Sequence, residues 1–509
     1  MSIMAVRLRK QRQSVIGLLR LLNLDPAQIP RRRPFYRRIV DLIERGVTQG
    51  TLSPGYQLPP ERDLAAALSV SRATVVAAYA ELESRGLARG YVGRGTFISA
   101  TSDGSAPFAW RGKISASAIQ NTDSTLRDLV RHAADPDVVS LAAGEPALDL
   151  FPVDAFRRAV DEALVQHGTA AWGHAPTEGQ GMFREVLARR FGGRAENTMV
   201  IAGAQQGLDL LARCLIDRGD AVIVDRPGYL GALQSFRSAG ARIFGWDFLR
   251  ADMDELEDLF LRYRPKLLYT NPTFQNPSGV TLPIRARREL IDLAQRYRVP
   301  IVEDETYCAL SLGAAPPPAL HALDADGTVV IRVNSFSKVL APGLRLGWIG
   351  AARPIIDQLA LMKQQVDPHT QNLIQLVVSQ LIDSGMFDTH LTALRHEHRR
   401  RRDSLAKALQ RVTPAGALRF AMPEGGLFLW CRLGGQARAR DVQQRALADG
   451  VAIVTGEPFY MDGGGTKELR ICFTTRPVDV GVRAARVIGD SVVAALAQAE
   501  RAAPLARIV

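Results

Sequence analysis

Cysteine is scarce in this 509-residue chain: Cys214, Cys308, Cys431 and Cys472 lie far apart and form no C-x-x-C pair. That spacing signals neither a zinc site nor a disulfide framework, so no metal is expected and a reducing cytoplasm suits the chain. Long apolar runs are missing too. No stretch reaches the ~18 uninterrupted apolar residues that argue for a membrane span. The segment MSIMAVRLRKQRQSVIGLLRLLNL breaks its short apolar runs with arginine and offers no small-residue cleavage site. Neither membrane insertion nor export is expected. No internal repeat of fixed period is found. What is present is the composition of an ordinary folded protein. Its 47% apolar and 23% charged residues exclude disorder and collagen, and its length suggests about three domains or one two-lobed domain with an attachment.

The charge is unevenly placed. The net charge is +12, and residues 1–100 alone hold 16 Lys/Arg against 7 Asp/Glu, which leaves the remainder at only +3. Such asymmetry suggests a module for nucleic acid or another anionic surface, joined to a nearly neutral body. Residues 1–30 read as a basic extension. In residues 31–99, Phe35, Ile39, Leu42, Ile43 and Val47 recur at helical spacing, with Gly50 as a stop. After the turn SPGYQLPP come a short amphipathic helix, ERDLAAAL, the tight turn SVS, and a longer helix, RATVVAAYAELESRG. Ser71 is placed as the cap of that helix and Gly86 at its end. Two helices so linked form a helix-turn-helix, and LARGYVGRGTFIS suits a two-stranded wing. Arg72 and Thr74 fall in the first turn of the recognition helix, where side chains reach base edges, whereas Arg62 and Arg94 are placed for phosphates.

The stretch PGYQLPPERDLAAALSVSRATVVAAYAELESRGL with GRGTF resembles the GntR-type winged helix. The resemblance implies binding to operator double-stranded DNA through Arg62, Arg72 and Thr74, with the wing at Gly93, Arg94 and Gly95. Many members of that family have a further arginine where this chain has Val76, which leaves the operator sequence open.

Residues 100–135 (ATSDGSAPFAW, then SASAIQNTDST) have the composition of a linker. Beyond them the β-rich runs AVIVD, KLLYT, PIVEDE and TVVIRV alternate with helical stretches, which predicts a mainly parallel sheet covered by helices. After about residue 352 long helices precede short strands such as GGLFLWCRL and KELRICFT, the pattern of a smaller α+β lobe. We expect a large lobe over about 166–350 and a small lobe over about 136–165 and 351–509.

In SFSKVLAPGLRLGW, Lys338 follows Ser335 by three residues and precedes Arg345 by seven. An amine so placed can form an imine while hydroxyl, backbone N–H and guanidinium groups hold a phosphate. VEDETY offers Asp304, whose carboxylate can keep a pyridine nitrogen protonated, and Tyr307. In TNPTFQNPSG, the Asn276 amide can donate to a ring phenolate oxygen. GAQQGLDLL opens a helix whose first amides, at Ala204 and Gln205, point at an anion. DRPGY presents Tyr229 for stacking on a cofactor face, and LRICFT places Arg470 for a bidentate carboxylate contact.

In this order over residues 136–490 these segments resemble the class I/II (fold type I) pyridoxal-phosphate aminotransferases. The resemblance implies pyridoxal 5'-phosphate as cofactor, with Lys338 as Schiff-base lysine and Asp304 on the pyridine nitrogen. It further implies Asn276 and Tyr307 on the phenolate oxygen and Ala204, Gln205, Ser335 and Arg345 around the phosphate, with Tyr229 on the ring and Arg470 on the substrate carboxylate. The family often has serine where this chain has Ala204, and usually tyrosine where it has Trp172. A GntR-type winged helix joined to such a body is the architecture of the MocR-type regulators. That resemblance implies a homodimeric transcriptional regulator that senses a small amino compound through aldimine exchange at Lys338. The alternative is a working aminotransferase that carries a DNA-binding domain.

Overall fold

The computed structural model describes residues 35–91, 95–99, 135–324 and 329–502, together with 18, 114, 115, 131 and 327. Almost all of the expected basic extension and linker lies outside the described residues, as do Gly93 and Arg94. The chain divides into two compact units, residues 1–122 and 123–509.

In the first unit, helices α1 (Phe35–Thr48), α2 (Glu61–Ala67) and α3 (Arg72–Ser84) are followed by β1 (Ala88–Tyr91) and β2 (Gly95–Ile98), an antiparallel pair. Ile39, Val40 and Ile43 of α1 share one core with Val75, Ala78, Tyr79 and Leu82 of α3, each set recurring at the 3.6-residue period. Ser71 Oγ accepts the Thr74 N–H at 3.2 Å, a cap worth about 1 kcal/mol. Tyr79 buries its ring and donates its hydroxyl to the Pro59 carbonyl at 2.8 Å. The expected helix-turn-helix and wing are therefore present.

In the second unit the strands are β3 (Val139–Ser140), β4 (Thr198–Ile201), β5 (Ala221–Arg226), β6 (Arg242–Asp247), β7 (Leu267–Thr270), β8 (Ile301–Asp304), β9 (Val330–Ser335), β10 (Gly347–Gly350), β11 (Leu418–Phe420), β12 (Phe428–Leu433), β13 (Val451–Ala452), β14 (Val454–Thr455) and β15 (Glu468–Cys472). Seven form one sheet in the order β4-β10-β9-β8-β7-β5-β6. Only β10 runs antiparallel to its neighbours, so the carboxyl ends of β4, β5, β7, β8 and β9 share one edge. Every residue of β4, β7, β8 and β9 is buried, as expected of strands covered on both faces. Alternation along β5 sorts the two cores. Val222 and Val224 pack with Leu208 and Leu211 of the helix Ala204–Leu215, while Ile223 packs with Phe260 and Leu290 on the other face.

A second, antiparallel sheet has the order β11-β12-β15-β14. Leu405 and Leu409 of the helix Met386–Val412 and Ala485 and Ile488 of the helix Val478–Ala502 pack on its Leu429, Cys431, Leu469 and Ile471. β3 and β13, far apart in sequence, form a short parallel pair. No described helix is long and apolar enough to cross a membrane.

Candidate functional site

The carboxyl ends of parallel strands are where open α/β sheets bind ligands, and here that edge opens into a cavity of about 340 Å³. Lys338, Asp304, Tyr307, Asn276, Tyr229, Ala204, Gln205, Ser335, Arg345 and Arg470 all line it, although they come from segments spread over more than half the chain.

Asp304 ends β8 and is buried. Its carboxylate accepts the Tyr269 hydroxyl at 2.9 Å, the Thr306 N–H at 3.1 Å and the Thr306 hydroxyl at 2.5 Å. Burial raises its pKa above the ordinary value, and those hydrogen bonds only partly offset the rise. Asn271, just past β7, donates to the Asp304 carbonyl at 2.5 Å and accepts the Asn276 N–H at 2.9 Å, which fixes the loop that carries Asn276. The Asn276 amide donates to the Tyr307 hydroxyl oxygen at 3.1 Å, which leaves the phenol's own proton free for a ligand. The Asn276 carbonyl oxygen accepts from Arg470 Nη1 at 2.9 Å, and Arg470 Nη2 donates to the Ala142 carbonyl at 2.6 Å. The Arg470 guanidinium is buried 4.3 Å from the Phe428 ring centroid and 5.0 Å from that of Phe459, and its Nε has no hydrogen-bond partner among the described residues. Burial pushes its pKa down. An anion at that Nε is the group that would satisfy it.

Lys338 lies in the turn that follows β9 and donates to the Gly144 carbonyl at 2.5 Å. Burial lowers the pKa of its amine, which favours the neutral, nucleophilic form. Opposite, the helix Ala204–Leu215 begins at Gly203, whose φ is +89°. Arg345 Nη2 donates to the Ala202 carbonyl at 2.6 Å, and a Cβ on Gly203 would stand 3.1 Å from that nitrogen. This leaves an open cradle between a helix amino end and a guanidinium. The Gln205 side chain donates to the Gly231 carbonyl at 3.1 Å and to Ser235 Oγ at 3.0 Å, while Tyr229 donates its hydroxyl to Gln205 Oε1 at 3.3 Å. Ser335 Oγ lies 2.9 Å from Ser337 Oγ. A phosphate at the cradle, an aromatic nitrogen at Asp304 and an aldehyde carbon at Lys338 match these donors and acceptors, so the residues fit pyridoxal phosphate.

Sequence reasoning missed Ser337, Thr306, Phe428 and the strap Ala142–Glu145, all of which line the cavity, and Tyr269, which holds Asp304. Ser337 stood inside the quoted lysine motif and was open to the same phosphate argument. Tyr269 sits inside an apolar strand and gives no local signal.

In the first unit, Arg72 is exposed at the start of α3 and paired with Glu61 at 3.0 Å. Arg62, next to Glu61 on α2, is exposed, and Val76, one turn on from Arg72, is 41% exposed. The Thr74 hydroxyl lies 2.8 Å from Ser71 Oγ and so shares in the cap.

Residues 136–486 match the family model for aminotransferase class I and II, and residues 35–98 match that for bacterial regulatory proteins of the gntR family. A 2-aminoadipate transaminase of Thermus thermophilus is 35% identical over 72% of this chain and 94% of the relative. An uncharacterised HTH-type transcriptional regulator of Bacillus subtilis, YdfD, is 28% identical over 87% of this chain and 93% of its own. The HTH-type transcriptional regulator NorG of Staphylococcus aureus is 25% identical over 82% and 95%. Among solved structures, the α-aminoadipate aminotransferase LysN of Thermus thermophilus, complexed with N-(5'-phosphopyridoxyl)-L-leucine, superposes with a TM-score of 0.72. It is 34% identical and covers 76% of this chain and 99% of its own.

Proposed function

From the premise that this chain belongs to the class I and II aminotransferase family and carries a gntR-family domain ahead of it, we propose that it is a pyridoxal-phosphate-dependent, DNA-binding transcriptional regulator whose body senses a small amino compound. One observation carries the reading: a capped recognition helix with exposed Arg62 and Arg72 and a cavity holding Lys338, Asp304 and Arg470 together occur in one polypeptide. Relatives that span both units are named as regulators.

When bound, pyridoxal phosphate supplies an aldehyde that condenses with amines and a ring that accepts electrons from the amine-bearing carbon. Asp304, anchored by Tyr269 and Thr306, holds the pyridine nitrogen and its proton. A cation there offsets the cost of burying the carboxylate. Asn276 and Tyr307 donate to the phenolate oxygen. The amino end of the helix Ala204–Leu215, with Gln205, Ser335 and Arg345, binds the phosphate. Tyr229 walls the ring, Lys338 carries the reactive amine, and Arg470, whose Nε has no partner among the described residues, takes the ligand's carboxylate. A homodimer belongs to the same reading. Trp172, 70% exposed, and Val165, 86% exposed, leave apolar surface for a second copy to cover.

A second reading, a working aminotransferase with a DNA-binding attachment, is favoured by the 35% identity to a transaminase and by the complete set of cavity residues. The test has two arms on the full-length protein, which is expected to be yellow with pyridoxal phosphate and colourless as Lys338→Ala. Binding to DNA from upstream of its own gene is titrated with and without candidate amino compounds, and keto-acid release per subunit is followed over many minutes. Ligand-dependent DNA affinity with negligible turnover is the expected result. Turnover of about 1 per second or more with indifferent DNA binding overturns the regulator reading, and a protein that stays colourless overturns the site.

A further inference from the structure

One carboxylate in the cavity has no task in the reading above. Glu145 lines the cavity beside Lys338, is half-buried, and makes no hydrogen bond or ion pair with its carboxylate among the described residues. Its backbone is held on every side. Thr474 donates its hydroxyl to the Glu145 carbonyl at 2.5 Å, Lys338 donates to that of Gly144, Arg470 to that of Ala142, and the Ala147 N–H donates to His398 Nε2 at 3.1 Å. Gly144 packs so closely on Phe428 that a Cβ would come 2.6 Å from the ring. The strap that carries Glu145 is thus tied to other segments of the body, and its bonds to Thr474 and His398 do not involve the groups that a ligand engages.

The other charges lining the cavity already have partners in the proposed complex: Arg345 the phosphate, Arg470 the carboxylate, Asp304 the ring nitrogen and Lys338 the aldehyde. A half-buried carboxylate has lost part of its hydration and draws a cation with a directed hydrogen bond. We propose that Glu145 selects the amino compound by charge, taking the second ammonium group of a diamino acid whose carboxylate lies on Arg470. This rests on the cavity being the amino-compound site. It names the ligand class as basic, in contrast to the 2-aminoadipate named for one relative.

The test uses the full-length protein loaded with pyridoxal phosphate and follows its visible absorbance during titration with L-ornithine, the nearly isosteric L-norleucine and L-2-aminoadipate. Ornithine should half-saturate at a concentration at least about tenfold below that of norleucine, the effect of one charge-assisted hydrogen bond. Glu145→Gln should erase that difference, Glu145→Asp should keep its direction, and Glu145→Lys should favour 2-aminoadipate. Equal half-saturation by ornithine and norleucine, or an ornithine preference that survives Glu145→Gln, overturns the proposal. So does a uniform shift of all three ligands in Glu145→Gln, which would make Glu145 only the counter-ion of Lys338. A wild-type protein whose spectrum responds to no amino compound overturns the underlying reading of the cavity and the selection with it.

Discussion

Gly203→Ala probes the anion cradle with one methyl group. At φ +89° and ψ 163° an alanine enters a backbone region essentially reserved for glycine, a strain of about 1–3 kcal/mol that lowers the stability of the body. The new Cβ would also stand 3.1 Å from Arg345 Nη2 and 3.2 Å from Nη1. The guanidinium is the far end of a flexible side chain, so it relieves the overlap by moving. That movement stretches the 2.6 Å hydrogen bond to the Ala202 carbonyl and displaces the charge from its place at the helix amino end. A hydrogen bond to a charged group contributes about 1.5–3 kcal/mol, and weakening it by roughly half should lower cofactor affinity about 3- to 10-fold. Gly219→Ala is the control for adding a Cβ at a positive-φ glycine in open surroundings. Its φ is +95°, and nothing lies within 4 Å of the added Cβ. Thermal melts without cofactor should show similar losses in the two variants, whereas absorbance titration with pyridoxal phosphate should show weakened binding in Gly203→Ala alone. Equal cofactor affinity in Gly203→Ala and wild type would refute the cradle, and equal weakening in both variants would assign the effect to backbone strain.

Two further predictions concern other parts of the molecule. Arg72→Ala should cost about 1–3 kcal/mol on a specific operator duplex and much less on random duplex in anisotropy titrations, and equal losses would assign Arg72 to phosphates. In the body, burial lowers the His321 pKa, but hydrogen bonds to Glu303 and Glu305, each at 3.4 Å, raise it to about 9. Its stabilising contribution is therefore full below the ordinary histidine pKa of about 6.5 and lost as pH rises through about 9. Chemical denaturation should show stability falling across that window in wild type and a flatter profile in His321→Gln. An unchanged slope in the variant would place the titration elsewhere.

Most of the fold was legible because its signals are local. The period of Ile39, Ile43 and Val47, the Ser71 cap and the apolar runs ending in Asp304 or Ser335 each state one element's type and limits. The ten cavity residues were legible for a related reason. Most of these chemistry-bearing side chains sit in turns, at strand ends or at helix starts, where turn residues such as those of TNPTFQNPSG mark them, and Arg470 alone lies mid-strand. What was not legible was the support beneath them. Tyr269, fully buried within β7, looks like any core aromatic, and Asn271 looks like any turn asparagine. Only the parallel pairing of β7 with β8 sets them against Asp304.

The strap Ala142–Glu145 shows the same limit from the other direction. SLAAGEPAL reads as a small-residue stretch with no catalytic pattern, and nothing nearby in sequence gives it a function. Its place is set by partners some 190 to 330 residues away: Lys338 on Gly144, Arg470 on Ala142 and Thr474 on Glu145. Those same contacts link the reactive amine and the carboxylate-binding arginine to one segment. A ligand that draws Lys338 or Arg470 toward itself must therefore change the hydrogen bonds of the strap. A further bond, from the Ala147 N–H to His398, joins the strap to the helix Met386–Val412. Differential contact of this kind between free and liganded states is what a sensor needs in order to move an equilibrium. In the proposed sensor it would rest on backbone carbonyls, which no pattern of side chains in the sequence announces.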